Sequence, residues 1–228
     1  MVVYGKQIVE LIAWSYPELI EEIYLSKTID TKFFNRLKSL NKPLLRVDNK
    51  KAQALARGGN HQGYFLKIQP LVPLELSAIK TFDFIVVLCG ISDVGNLGSI
   101  TRSACALGAD AIIFCELKEL KQEGIIRTSV GALLSIPFGV IFNTLEVINE
   151  LKMADFTLYG TDLKGENTHQ FASKKKALFL GNEANGLSKR ILAKMDNILT
   201  LPMKRGFNSL NVGCAGAILM DRIMYGRA

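Results

Sequence analysis

The hydrophobic pattern changes its period along the chain. Over Tyr4–Trp14 the apolar positions Ile8, Leu11 and Ile12 follow a helical spacing. Glu22–Leu25 predicts a short strand, and Asp30–Leu40 a helix with Asp30 or Thr31 as its N-cap. Leu44–Val47 reads as a strand and Lys50–Ala56 as a short helix. A glycine-rich loop follows, Arg57-Gly58-Gly59-Asn60-His61-Gln62-Gly63, and Tyr64–Ile68 closes the segment as a strand. Together these predict a small α/β unit. Pro70 and Pro73 then remove two backbone donors and favour an extended path, which puts a boundary between 70 and 80.

The remainder alternates more regularly. Phe84–Cys89 is a continuous apolar run, as a strand buried on both faces requires. Asn96–Leu107 predicts a helix, Ala111–Phe114 a strand, Thr128–Leu134 a helix, Phe138–Phe142 a strand and Leu145–Lys152 a helix. Phe156–Gly160 and Ala177–Leu180 predict strands, Leu187–Lys194 a helix, Ile198–Leu201 a strand and Leu210–Met224 a long closing helix. This order predicts a mainly parallel sheet covered by helices. No internal repeat is present, and Lys174-Lys175-Lys176 reads as a solvated turn before a strand.

Composition narrows the class. A chain of 228 residues allows one large domain, or a small one plus a medium one. With 49% hydrophobic and 21% charged residues, wholesale disorder is excluded. No run of about 18 uncharged apolar residues occurs. The start, MVVYGKQIVELIAW, lacks the basic-then-apolar layout of a secretory leader, so neither a membrane span nor a signal peptide is expected. Cys89, Cys105, Cys115 and Cys214 are irregularly spaced, without C-x-x-C, and the two histidines are His61 and His169. No metal site or disulfide framework is expected, three of the thiols read as buried small hydrophobes, and a reducing cytoplasm fits.

The net charge is +7 and is unevenly placed: residues 1–80 hold 12 Lys and Arg against 7 Asp and Glu, and 81–228 hold 16 against 14. The basic excess points to a polyanionic partner, with a solvated surface as the alternative. Lys6, Lys27, Lys32, Arg36, Lys38, Lys50, Lys51 and Arg57 form the candidate recognition surface.

Ligands of open α/β sheets bind beyond the carboxyl ends of the strands. Three loops there are unusual. The first is Ser92-Asp93-Val94-Gly95-Asn96-Leu97-Gly98-Ser99-Ile100-Thr101-Arg102, which is not the G-x-G-x-x-G dinucleotide fingerprint. Asn96 stands at the expected helix start, where it could be an ordinary N-cap. Arg102 could be a surface ion-pair partner. Ile100, Ala104 and Leu107 around it predict a largely buried helix, in which an arginine needs phosphate or carboxylate. In the second loop a strand runs into Gly181-Asn182-Glu183-Ala184-Asn185-Gly186-Leu187. Glu183 could satisfy the amides of a helix start there. The third joins Leu201-Pro202-Met203, the basic pair Lys204-Arg205, and Ser209-Leu210-Asn211-Val212 opening a helix. Ser209 could be its cap, and the basic pair could be solvated.

In their joint order the three loops resemble the SpoU/TrmH family of the SPOUT superfamily, RNA ribose 2′-O-methyltransferases. The motifs are Asn96-x-Gly98-x-x-x-Arg102-x-Ala104, Gly181-Asn182-Glu183-x-x-Gly186-Leu187, and Leu201-Pro202-Met203 with Ser209-Leu210-Asn211-Val212. The resemblance covers about 84–225. The basic front unit, with its His61-Gln62-Gly63 loop and proline linker, is similar to L30e-type RNA-binding domains. That arrangement is similar to the 23S ribosomal RNA guanosine 2′-O-methyltransferases, with a transfer-RNA enzyme or a non-catalytic RNA-binding or assembly protein as alternatives. A nucleotide-dependent dehydrogenase or hydrolase lacks its glycine fingerprint.

The resemblance implies an L30e-like unit over 1–72, a linker over 73–81 and a methyltransferase domain over 82–228. That domain would carry a C-terminal trefoil knot over roughly 156–215, an exception to the rule that chains do not thread. It implies S-adenosylmethionine as cofactor, held by Thr161, Asp162, Gly181, Asn182, Glu183, Leu201, Met203, Ser209 and Leu210. It also implies a homodimer in which Arg102 reaches the partner's site. Arg102 then binds a phosphate and orients or polarises the 2′-hydroxyl, since a guanidinium holds its proton too firmly to be a good base. Asn96 and Glu183 position it; Ser209 and Asn211 hold the ribose and the cofactor-side loop. Lys204, Arg205, His61 and Gln62 are candidate RNA contacts, and no metal is needed. Gly213 departs from the family, where serine often follows Asn-Val. It weakens the helix by about 1 kcal/mol relative to alanine.

Overall fold

The computed structural model describes residues 1–166, 171–205 and 209–226. The first unit runs β1 (Val2–Tyr4), α1 (Lys6–Ser15), β2 (Ile20–Leu25), α2 (Thr31–Ser39), β3 (Leu44–Arg46), α3 (Asn49–Ala56) and β4 (Tyr64–Ile68). Its sheet has the order β1-β4-β2-β3; β4 is antiparallel to both neighbours and β2 parallel to β3. Val2-Val3-Tyr4, β-branched and aromatic, pair with β4 instead of opening the helix expected from Tyr4, and α1 begins after Gly5. Asp30 caps α2 by accepting from the Phe33 amide at 3.0 Å, and Asp48 caps α3 by accepting from Lys51 at 2.7 Å.

The second unit runs α4 (Leu76–Ile79), β5 (Phe84–Cys89), α5 (Val94–Ala106), β6 (Ala111–Cys115), α6 (Gln122–Thr128), β7 (Phe138–Ile141) and α7 (Thr144–Met153). It continues with β8 (Thr157–Glu166), β9 (Lys176–Gly181), α8 (Lys189–Leu192), β10 (Asn197–Leu199) and α9 (Val212–Tyr225). Its six strands are all parallel, in the order β10-β8-β9-β5-β6-β7. The unbroken apolar run of β5 is divided by the two-residue period of a strand. Phe84, Val86 and Leu88 enter the core under α5, α6 and α9, while Ile85, Val87 and Cys89 enter the core under α4, α7 and α8. Each large apolar side chain buried this way contributes about 1.5–3 kcal/mol.

Three local readings change. The helix expected at Thr128–Leu134 lies earlier, at Gln122–Thr128. Val130 and Gly131 turn left-handed, the Gly131 amide reaches back to Ile126 O at 2.7 Å, and only a short 3₁₀ turn, Ala132–Leu134, follows. The cap of α5 is Asp93, which accepts from the Asn96 amide at 2.8 Å, so Asn96 is not an N-cap but lies inside the first turn. The cap of α9 is Asn211, not Ser209. Close packing of α5 on α6 explains the glycine of the first motif: a Cβ on Gly98 would lie 2.7 Å from the Thr128 carbonyl carbon.

The two units share one apolar core. Val3, Ile8 and Ile12 of the first unit join the cluster that holds Ile125, Ile126 and Leu133 of the second. Gln122 exchanges two hydrogen bonds with the Leu71 backbone, and Tyr16 Oη lies 2.9 Å from Ser135 Oγ. Within the expected linker, α4 packs against β7 and buries Ile79 in the second unit. No described helix is long and apolar enough to cross a membrane.

Candidate active site

The second half of β8, the loops after β9 and β10, and the start of α9 enclose a cavity of about 330 Å³, inside the ~300–1,000 Å³ range of small-molecule sites. Thr161 and Asp162 line it from β8; Gly181, Asn182 and Glu183 line it from the end of β9. Leu201, Met203, Ser209 and Leu210 complete the expected set. The residues that the loops alone did not single out are mainly an apolar wall, with Leu199 from β10 and, from α9, Ala215 and Leu219 in line with Val212 of the third motif. The last three recur at helical spacing, so periodicity within Leu210–Met224 carried that signal. The described lining holds two carboxylates, Asp162 and Glu183, and no basic side chain.

The loop after β9 is folded by its own asparagine. Asn182 Oδ1 accepts from the amides of Ala184 at 3.1 Å and Asn185 at 2.9 Å, and Asn182 O accepts from Gly186 at 2.9 Å. The turn closes so tightly that a Cβ on Gly181 would stand 2.2 Å from the Gly186 carbonyl carbon, so only glycine leaves the peptide edges in place. Thr161 Oγ1 donates to Phe179 O at 3.3 Å and ties β8 to β9.

The three loops meet at Asn96. Its Nδ2 donates to Glu183 Oε1, and its Oδ1 accepts from Asn211 Nδ2 at 2.8 Å. Asn211 Oδ1 accepts in turn from the amides of Gly213 at 2.9 Å and Cys214 at 3.3 Å. Each amide end is therefore used, which fixes the orientation of both side chains. Glu183 engages Asn96 and not the amides of α8, whose cap is Ser188. At Gly213 a Cβ would press within 2.3 Å of Ser99 Oγ, so the departure from serine accompanies the close seating of α9 on α5.

The other candidates fall elsewhere. Arg102 is exposed, in line with Asn96 and Ser99 on α5, and makes no hydrogen bond or ion pair among the described residues. The expectation of a buried arginine is thus corrected: Leu97, Ile100, Thr101 and Ala104 take the buried face. Lys204 and Arg205 are exposed beside Met203, outside the cavity lining; Gly206, Phe207, Asn208 and His169 lie outside the described residues. His61 and Gln62 are in the first unit and serve its fold. His61 stacks on Phe65 at 4.7 Å and accepts from the Gly63 amide, and Gln62 Oε1 accepts from the Lys6 amide. Arg36 donates twice to Ala13 O, at the end of α1, and lies over Trp14.

Residues 83–221 match the model of the SpoU rRNA Methylase family. The chain belongs to that family. Residues 2–74 match a second model, described as RNA 2′-O ribose methyltransferase substrate binding. An uncharacterized tRNA/rRNA methyltransferase of Borreliella burgdorferi is 29% identical over 88% of this chain and 96% of its own length. The 23S rRNA (guanosine-2′-O-)-methyltransferase RlmB of Bordetella pertussis is 28% identical over 90% of this chain and 88% of its own. Among solved structures, the SpoU methyltransferase AviRb from Streptomyces viridochromogenes, in complex with AdoMet, superposes with a TM-score of 0.81. It does so at 20% identity, over all of this chain and 90% of that one. An AdoMet-bound rRNA methyltransferase from Sinorhizobium meliloti gives 0.78 at 23% identity, over 97% of this chain and 86% of that one. These two share the fold.

Proposed function

We propose that this SpoU-family protein transfers a methyl group from S-adenosylmethionine to a ribose 2′-hydroxyl of structured RNA, a guanosine of 23S ribosomal RNA. The observation that carries the reading is the meeting of three separated loops at Asn96, beside a cavity of small-molecule size. Family membership and the RlmB relative support the reaction and the ribosomal substrate.

The residues present fit the cofactor. A lining with two carboxylates and no basic group favours a cationic ligand, the apolar wall of Leu199, Leu201 and Leu219 suits an aromatic base, and the tight turn at Gly181 exposes peptide groups to it. S-adenosylmethionine supplies a methyl group on a positively charged sulfur, a good leaving group. The chain must then align the acceptor oxygen and stabilise its developing negative charge. Glu183 and Asn211, locked by Asn96, hold the cofactor loop and the start of α9 at fixed spacing. Arg102, charged and without a partner among the described residues, donates to the acceptor or its phosphate and is not a base.

An exposed Arg102 outside its own cavity supports a homodimer in which it serves the partner's site. The exposed Ile218 of α9, 40% accessible, supports burial of that helix against a second copy. The reading also includes a knot over roughly 156–215, an RNA-binding role for 1–72 with Lys204 and Arg205 as further phosphate contacts, chemistry that needs no metal, and a cytoplasmic location with the ribosomal substrate. The test incubates purified protein with methyl-tritiated S-adenosylmethionine and RNA from cells lacking the gene, then maps the 2′-O-methyl sites. Label in a 23S guanosine is expected. Label confined to transfer RNA overturns the ribosomal substrate, and absence of cofactor binding overturns the enzyme.

A further inference from the structure

A second cavity, of about 880 Å³, lies where the two units meet. Its volume is more than twice that of the cavity beside Asn96. One side is the exit of α3, Arg57-Gly58-Gly59-Asn60; the other is Lys121, Glu123 and Arg127, at and within α6. Val94, the first residue of α5, also lines it and stands two residues before Asn96.

Three cations and one carboxylate border this groove. Arg57 approaches Glu123 at 3.9 Å, but the arginine side chain is 85% accessible. A pair so long and so solvated contributes little, so the guanidinium can exchange Glu123 for another anion. Lys121 and Arg127 are exposed; the Arg127 guanidinium lies over the Tyr4 ring at 4.9 Å, and neither side chain has an anionic partner among the described residues. The positive charge is contributed by both units, along a groove that the first residue of α5 also lines. Such a layout suits a chain of phosphates better than one small anion, which needs donors converging on a point.

We propose that this inter-unit groove carries the sugar–phosphate backbone of the RNA strand that leads into the site, with Arg57, Lys121 and Arg127 neutralising its phosphates. The groove is a positioning surface and adds no chemical step. It rests on the reading of the protein as an RNA methyltransferase, and the test separates the two.

The full-length Arg57→Gln/Lys121→Gln variant is compared with a control of equal charge change, Lys189→Gln/Lys194→Gln, whose side chains are exposed and line neither cavity. The probes are in vitro transcribed, unmodified 23S ribosomal RNA and, separately, guanosine monophosphate. Affinity for the RNA is measured against salt concentration, S-adenosylmethionine affinity by calorimetry, and folding by thermal melting. Each phosphate contact on a single strand contributes about 0.7 to the slope of log K against log salt. The groove variant is expected to lose about 1.4 of that slope and at least tenfold in RNA affinity, with unchanged melting and cofactor affinity, while the control matches wild type. Equal slopes in the two variants overturn the groove, as does saturable binding of guanosine monophosphate that the groove variant loses while its RNA slope stays intact. If the wild type neither binds S-adenosylmethionine nor methylates, the enzyme reading fails, and the RNA slopes still judge the groove.

Discussion

Asn96 uses its two amide atoms in opposite senses, donating to Glu183 and accepting from Asn211. An aspartate there loses the donor and sets a second carboxylate against Glu183. Asn96→Asp is therefore expected to lower kcat/KM by about 10- to 100-fold, since a hydrogen bond to a charged group is worth about 1.5–3 kcal/mol. Adding Glu183→Gln should return part of the loss, because the new amide can donate to the aspartate; a double-mutant cycle without coupling would refute the contact. Arg102→Ala should abolish transfer while S-adenosylmethionine affinity, read by calorimetry, stays within a few-fold. The cysteines carry a separate expectation. Burial pushes the Cys115 thiol from its ordinary 9.0 up to about 12, and burial also raises Cys89. A folded-state value above the unfolded one means that stability is complete below about pH 9 and falls as the pH rises towards 12. Denaturation from pH 8 to 11 should show this decline, and Cys115→Ala should lessen it while Cys89 keeps its share.

At the scale of elements, the start of α5 decides what Asn96 can do. Asp93 and Asn96 are both cap-forming types in one short stretch, so local preference alone does not choose between them. The structure uses Asp93, which leaves the Asn96 side chain available to the other two loops. The same helix meets α6 at Gly98, and a methyl group there collides with the Thr128 backbone as well as its side chain. Gly98→Ala should cost about 1–3 kcal/mol of overpacking despite the better helix propensity of alanine. At roughly 2–4 °C per kcal/mol for a chain of this size, melting should fall by about 2–12 °C. Thr128→Ser should not rescue it, because the carbonyl carbon remains in the way. An unchanged melting temperature would show that the two helices part without cost.

At the scale of the molecule, the units are joined by packing as well as by the proline-containing connection. Ile125, Ile126 and Leu133 belong to the same buried cluster as Val3, Ile8 and Ile12. Removal of 1–75 is expected to expose this apolar surface and to yield a fragment that aggregates or melts well below the intact chain, read by light scattering and calorimetry. A soluble fragment with unchanged melting would make the shared core energetically unimportant. The shared core also means that RNA binding by the first unit is best tested with point variants.

Most strands of the second unit were legible because each is written locally: β5 is six apolar residues in a row, whereas α6 and α4 were not read where they lie. All nine expected cofactor positions line one cavity, because the candidate loops emerge at the carboxyl end of one parallel sheet. Only tertiary structure decided the rest. The extension of β8 to Glu166 depends on β10, which pairs with it from more than 30 residues away in sequence. The exposure of Arg102 depends on which face of α5 the sheet, α6 and α9 cover. The partners of Asn96 lie 87 and 115 residues further along the chain. Periodicity reports the face an element presents, but a contact between distant side chains exists only once packing has set the distance between the elements that carry them.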